Sequence, residues 1–419
     1  MIAYAQALDI MIAAASVQPP ETIAMANAEG RVLAQDVDSG QCLPPFDNSA
    51  MDGFALRNDG QVLPAGSVFD VQGWQAAGDP AAVAATAGAW EIMTGARLPD
   101  GLDSVVPVEQ IEVLHAVDGR PRRIRLAAAV SPGQHVRLRG QDVTTGERVL
   151  DAGRVLDTHA MTLLHALGVG QVTVAARPQA AVLATGKELV SDAAQTLQSG
   201  QIRDSNRPYL VARLSAAGAD VAWQGVVGDD TAAFNHSLDQ ALAAGARVLL
   251  STGAVSAGRY DFIPDALRAR GAAILFHKVA IRPGKPLLFA RLADGALYFG
   301  LPGNPVSAAV GQRFFVEPVL RRMLGLPGEI PLRLPLQADA RKPAGLRFHA
   351  RARVEVDATG ALSVRLLAGQ ESFRLKSMLQ ANAWAVLDGD ADYAAAGSVV
   401  EVHGWGHAEP LRLATQERT

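Results

Sequence analysis

The chain has 419 residues, of which 49% are hydrophobic, 19% charged and 5% aromatic, and its formal net charge is -4. That length suits about two to four domains, and the apolar share excludes a disordered chain. No basic excess favours nucleic acid or an anionic membrane as a partner, and the single cysteine, Cys42, rules out an internal disulfide and argues against a Cys-based metal site, as befits a cytoplasmic protein.

In chain order, MIAYAQALDIMIAAAS is apolar, but Asp9 interrupts it and no basic region precedes it. Leu8, Met11 and Ile12 recur at helical spacing, which predicts an amphipathic helix rather than a signal peptide. No segment reaches the roughly 18–20 uninterrupted apolar residues of a membrane span. Residues 43–60, LPPFDNSAMDGFALRNDG, read as a structured loop, and 61–139 as a small β domain of short Val-, Ile- and Trp-containing runs. Residues 143–176 return to helix and strand, with THAMTLLHALGV closed by Gly168. The domains expected are therefore 1–45 with 143–176, then 46–142, 177–327 and 328–419. The third alternates strands (AAVLATG, DVAWQGVV, RVLLSTG, AAILFH) with helices, the pattern of parallel βαβ units. The last reads as a small β-barrel or sandwich.

Ligands of a parallel sheet bind beyond the carboxyl ends of its strands. Three such ends carry Thr185-Gly186-Lys187-Glu188, Val227-Gly228-Asp229-Asp230, and Ser251-Thr252-Gly253-Ala254-Val255-Ser256 with Asp261 close behind. Glycine lets the backbone approach a ligand and turn its amides inward. Carboxylates at the same edge repel a phosphate, yet they can hold a divalent cation that bridges phosphates. Glu188, Asp229 and Asp261 are thus candidate metal ligands, against the plainer reading of helix caps or solvated acids. Lys278, Arg282 and Lys285 surround a stiff Pro-Gly-Lys-Pro turn suited to an oxyanion. Gly300-Leu301-Pro302-Gly303-Asn304-Pro305-Val306-Ser307 opens a helix whose free amides suit an anion, with Ser307 as a further donor. Asp52, Met93-Thr94-Gly95-Ala96, and Arg137 with Asp142 sit in polar loops whose roles the residues alone leave open. No GxxxxGK[ST] and no GxGxxG after a strand occurs, which disfavours P-loop kinases and Rossmann dehydrogenases. No serine or cysteine protease triad stands out.

FDNSAMDGFA, MTGARLPDG, RLRGQD, TGKEL, DSNRP, STGAVSAGRYDF, KVAIRPGKP and GLPGNPVSA follow one another in the chain. Together they resemble the molybdopterin molybdenumtransferase family, which includes the E domain of gephyrin, over nearly the whole length. The resemblance implies an α/β plus β fold: a multidomain, L-shaped subunit with a βαβ molybdopterin-binding domain and small β domains. It implies an elongated homodimer whose cleft combines the α/β domain of one subunit with loops of the other. It also implies the reaction: molybdopterin-AMP and molybdate as substrates, AMP release dependent on Mg²⁺ or another divalent cation, and molybdenum left on the dithiolene. Transient contact with the molybdopterin adenylyltransferase follows from the same resemblance.

Position by position, the resemblance implies catalytic roles for Asp52, Thr94, Asp142, Glu188, Asp229 (with Asp230 as the alternative) and Asp261. It implies substrate contacts from Arg137, Gly186, Gly253, Ser256, Lys278, Arg282, Lys285, Ser307, Arg351 and Ser372. Four departures stand out. Ala254 replaces the second glycine of a usual pair, and Arg282 stands where Lys is commoner. Phe348-His349-Ala350 lacks an Arg two residues after the Phe, with Arg351 next along; and Glu371-Ser372-Phe373 puts a carboxylate beside an expected oxyanion site. The alternatives are a catalytically silent scaffold of the same fold and a relative that handles tungstate or a cytidylylated pterin.

Overall fold

The computed structural model describes residues 1–84, 87–254, 262–389, 391–406, 409, 411 and 413. A six-stranded sheet occupies the middle of the chain. Strands Gln179–Thr185, Asp220–Val227, Val248–Thr252 and Leu297–Leu301 run parallel within it. Their registers pair Thr185 with Val227, Ala184 with Thr252, and Thr252 with Leu301, so the four carboxyl ends lie level.

Ala181, Leu183, Leu249 and Tyr298 are buried among Phe234 and Leu238 of the helix Thr231–Ala243 and Ile263 and Leu267 of Ile263–Ala269. Val182, Leu250, Phe289 and Phe299 are buried with residues of Asn206–Ala216, Pro305–Gly311 and Glu317–Met323. With helices on both faces, the central strands read as near-continuous apolar runs. The expected strand over AAILFH forms as Ala273–His277, but antiparallel. It pairs with Leu288–Arg291, which in turn runs antiparallel to Leu297–Leu301. The intervening basic turn is too short for a helical crossover, so the chain folds back on itself.

The stretch 43–60, expected as a loop, contains a buried strand, Gly53–Leu56. It lies between Ala89–Ile92 and Ser104–Pro107 in a second six-stranded sheet. Gly53 has no alternative there, because a Cβ would fall 1.9 Å from Val106 O. The flanking Pro44 and Pro45 and the acid-rich turn masked four residues that bury entirely.

The predicted N-terminal helix forms over Tyr4–Ala14 and buries Ala7 and Met11 in the core of the central sheet. Pro20–Ala24 pairs with Gln171–Ala175, next to the helix Thr158–Ala166, whose cap Asp157 accepts from Ala160 N–H at 2.8 Å. At the C-terminal end, Arg347–Val356, Ala383–Leu387, Val399–His403 and Leu332–Pro335 form a third sheet, joined by the short Ile281–Arg282 from the basic turn.

Phe299 lies at the centre of the middle sheet, fully buried, its ring 5.0 Å from that of Phe289. Phe299→Ala removes this ring and leaves a cavity, so urea unfolding is expected to show a loss of about 3–5 kcal/mol. A loss below about 1 kcal/mol contradicts this packing.

Candidate functional site

The level strand ends create the site. Thr185 ends one strand, and its hydroxyl donates to Thr252 O at 2.8 Å. Gly253, at φ +87°, runs so close that a Cβ there would meet Thr185 O at 2.7 Å. Gly303 faces the Gly253 backbone, its own Cβ position 3.7 Å from Gly253 Cα. Asn206, from DSNRP, donates to Gly303 O at 2.7 Å and fixes the turn before the helix at Pro305. Ala254 adopts φ +50°, the left-handed conformation that glycine takes freely and alanine only at a cost of about 1–2 kcal/mol.

On one flank, Asp229 Oδ2 accepts from Lys187 N–H at 3.1 Å, and the Glu188 carboxylate folds back over Gly186, 2.7 Å from where a Cβ would lie. Asp229 and Glu188 therefore sit in the turns of two neighbouring strand ends, joined by this bond. Asp230 is committed elsewhere: it caps the helix Thr231–Ala243 and accepts from Ala233 N–H at 2.8 Å. This separates two acids that the sequence left as alternatives. Asp261 and Ser256 lie outside the described residues, and no group of three metal-ligating side chains gathers among those described.

On the other flank lies the basic turn. Its Gly284 approaches Ser307 O, 3.4 Å from the Cβ position, and Ser307 is buried. Val306 N–H donates to Ser372 O at 3.0 Å, which brings the C-terminal loop onto the helix start. Arg282 and Lys285 are exposed and Lys278 half-buried, with its backbone at φ +81°. Ile2 holds that backbone, donating to Lys278 O at 3.1 Å and accepting from Ala280 N–H at 2.9 Å. Contacts thus run unbroken from Glu188 through Gly253, Gly303 and Ser307 to Lys285 and Ser372.

Arg351 departs from its expected place on the oxyanion. It is fully buried, and its guanidinium donates to Gln370 Oε1, Arg374 O, Ser377 Oγ and Glu371 O at 2.7–3.3 Å. Its hydrogen-bonding capacity goes to shaping the loop that carries Ser372, so it is a positioning residue. The unexpected carboxylate of Glu371 is offset by Arg374 at 2.9 Å.

Asp52, Thr94 and Arg137 converge on a separate cluster. Thr94 N–H and hydroxyl donate to Asp52 Oδ1 at 2.6 and 2.8 Å. Asn48–Ser49 pairs with Val136–Arg137, and Ser49 exchanges backbone bonds with Gly95 and Ala96. Asp142 is exposed one turn further on, its N–H bonded to Leu43 O at 2.9 Å. Among the described residues no hydrogen bond or ion pair links this cluster to the sheet edge. Sequence reasoning gave no role to Asn206 or Gln370, and placed Thr185 only within a strand-end turn. Asn206 was visible as part of a motif without a role, whereas Gln370 carried no signal.

Three family models cover most of the chain. Residues 2–168 match the MoeA N-terminal region (domain I and II), 181–322 a probable molybdopterin binding domain, and 333–405 the MoeA C-terminal region (domain IV). The molybdopterin molybdenumtransferase of Synechococcus elongatus is 36% identical over 414 residues, covering 96% of this chain and 99% of the relative. Its namesake from Staphylococcus aureus strain MRSA252 is 31% identical over 414 residues, covering 95% and 94%. The crystal structure of the molybdopterin biosynthesis moeA protein from Pyrococcus horikoshii OT3 superposes with a TM-score of 0.78 at 26% identity, covering 96% of this chain and 99% of that one. Fold and motifs thus define a multidomain transferase of molybdenum-cofactor biosynthesis. The chain belongs to the molybdopterin molybdenumtransferase (MoeA) family.

The two hydrogen bonds from Thr94, its amide first, hold the Asp52 carboxyl below the usual carboxylate range. That contact stabilises the fold above the ordinary carboxylate pKa and fades as pH falls through the lower native one. Thr94→Val deletes the hydroxyl donor, so NMR titration should show the Asp52 pKa rising toward its ordinary value. An unchanged pKa contradicts the hydroxyl's role.

Proposed function

We propose that this chain inserts molybdenum from molybdate into adenylylated molybdopterin and releases AMP in a step dependent on Mg²⁺ or another divalent cation. The observation that carries this reading is the rim from the bonded turns of Glu188 and Asp229, across the glycine-lined strand ends, to the basic turn and Ser307.

The acids fit a cation. Glu188 and Asp229 offer only oxygen donors, from two adjoining strand-end turns, the donor chemistry that hard divalent ions take. Asp261 is proposed as the third ligand. A divalent ion held there offsets negative charge on the phosphates of the adenylate. The chain's own groups do the rest. Gly186 and Gly253 let the backbone come up to the substrate. Lys278, Arg282, Lys285 and Ser307 hold the molybdate oxygens, with Ser372 at the rim. Arg351 keeps the Ser372 loop in place. Ser256, in the Gly253 turn, is proposed as a pterin contact.

Among the described residues, the Asp52–Thr94 cluster, with Arg137 and Asp142, has no bonded link to the rim of its own chain. A homodimer that brings this cluster to the partner's rim gives it a substrate to act on. Delivery of molybdopterin-AMP by transient contact with the adenylyltransferase, and a cytoplasmic setting, complete the proposal. No helix among the described residues is long and apolar enough to cross a membrane.

Purified protein mixed with molybdopterin-AMP, Mg²⁺ and molybdate is expected to release AMP. Asp261→Asn should slow that release by roughly 100-fold or more, since a ligand change removes several kcal/mol of charge stabilisation. An intact fold that releases no AMP, or that ignores Asp261→Asn, sinks the proposal and favours a scaffold role. Faster turnover with tungstate or with the cytidylylated pterin would reassign the substrate.

A further inference from the structure

The basic turn is gripped from two sides. One is the helix start at Ser307; the other is the strand Arg347–Val356 of the C-terminal sheet. Ile281–Arg282 pairs in parallel with Arg347–Phe348, which sets Arg282 opposite Phe348, and Arg347 N–H donates to Ala280 O at 3.0 Å. The Arg282 guanidinium carbon lies 5.9 Å from the centroid of the Phe348 ring. Phe348 is only 5% exposed and is part of the C-terminal core, whereas Arg282 is exposed. A buried ring therefore lies beside an exposed cation.

We propose that Phe348 is a positioning residue for Arg282, and that the pair makes this chain's grip on the oxyanion depend on arginine rather than on charge alone. The inference rests on the function proposed above and deepens it at one contact. A guanidinium is planar and more weakly hydrated than an ammonium, so an aromatic face holds it while its N–H edge stays free. That edge presents fixed, paired donors to a tetrahedral oxyanion, whereas a lysine presents a point charge with no preferred plane. The arginine at 282 thereby acquires a structural partner. Pro283 adds rigidity, since its ring fixes its own backbone angle directly after Arg282.

The test is a double-mutant cycle on the full chain, with the molybdate dependence of AMP release as the readout. Phe348→Leu is expected to raise the apparent KM for molybdate roughly two- to five-fold, the loss of one exposed cation–ring contact. Its kcat should stay within about two-fold, because the ring touches no reacting atom. In an Arg282→Lys background, Phe348→Leu should add nothing further. Phe348→Tyr keeps the face and should keep the wild-type KM. Should Phe348→Leu fail to fold, Phe348→Met removes the ring at similar volume and serves in its place.

The pairing is overturned if loss of the ring leaves KM unchanged, or raises it equally in both backgrounds. It is likewise overturned if Phe348→Tyr is as impaired as Phe348→Leu, which would mark a packing defect. A wild-type chain that shows no response to molybdate overturns the proposed function, and this contact with it. A responsive wild type with additive variants overturns the pairing alone.

Discussion

The close approach of Gly253 to Thr185 sets the geometry of everything around it. A side chain at 253 would overlap the Thr185 carbonyl, and the turn would lift away from the sheet. With the turn seated, Gly303 packs against Gly253 and the helix at Pro305 starts at the same level. The basic turn then rests on Ser307, and the Ser372 loop on Val306. Acid and base thus come to share one edge because backbones, not side chains, meet at its centre.

That arrangement also divides the labour between units. The middle sheet supplies the carboxylates at Glu188 and Asp229 and the glycine floor. The C-terminal sheet supplies Phe348, Arg351 and the Ser372 loop, and reaches the basic turn through the strand Ile281–Arg282. Burial of Arg351 is tolerated because its donors find carbonyls, an amide oxygen and a hydroxyl, which is the condition for placing a charge in a core. The same side chain therefore ties the loop to the sheet and leaves the proposed anion contact to the more exposed Arg282 and Lys285.

Much of this was legible in the sequence, for identifiable reasons. Alternating strands and helices announced the middle sheet, and Gly-rich strand ends announced its edge. Asp229 and Asp230 could not be told apart, since capping depends on where the helix begins. Gly53–Leu56 was hidden by its proline-rich approach, and the reversal at Ala273–His277 by a basic turn that could equally have led into a crossover. Arg351 looked like an anion ligand because sequence does not report burial. Asp52, Thr94 and Arg137, more than 40 positions apart in part, converge through pairing of Asn48–Ser49 with Val136–Arg137, a contact no local pattern encodes.

The basic turn, the helix start and the Ser372 loop are proposed to enclose one oxyanion site. Crystals soaked in molybdate, with anomalous diffraction recorded at the molybdenum edge, test it most directly. One strong peak is expected within hydrogen-bonding reach of Ser307 Oγ, Lys285 Nζ and the Arg282 guanidinium. A fully occupied peak at any other place on the chain, with this turn bare, would contradict it.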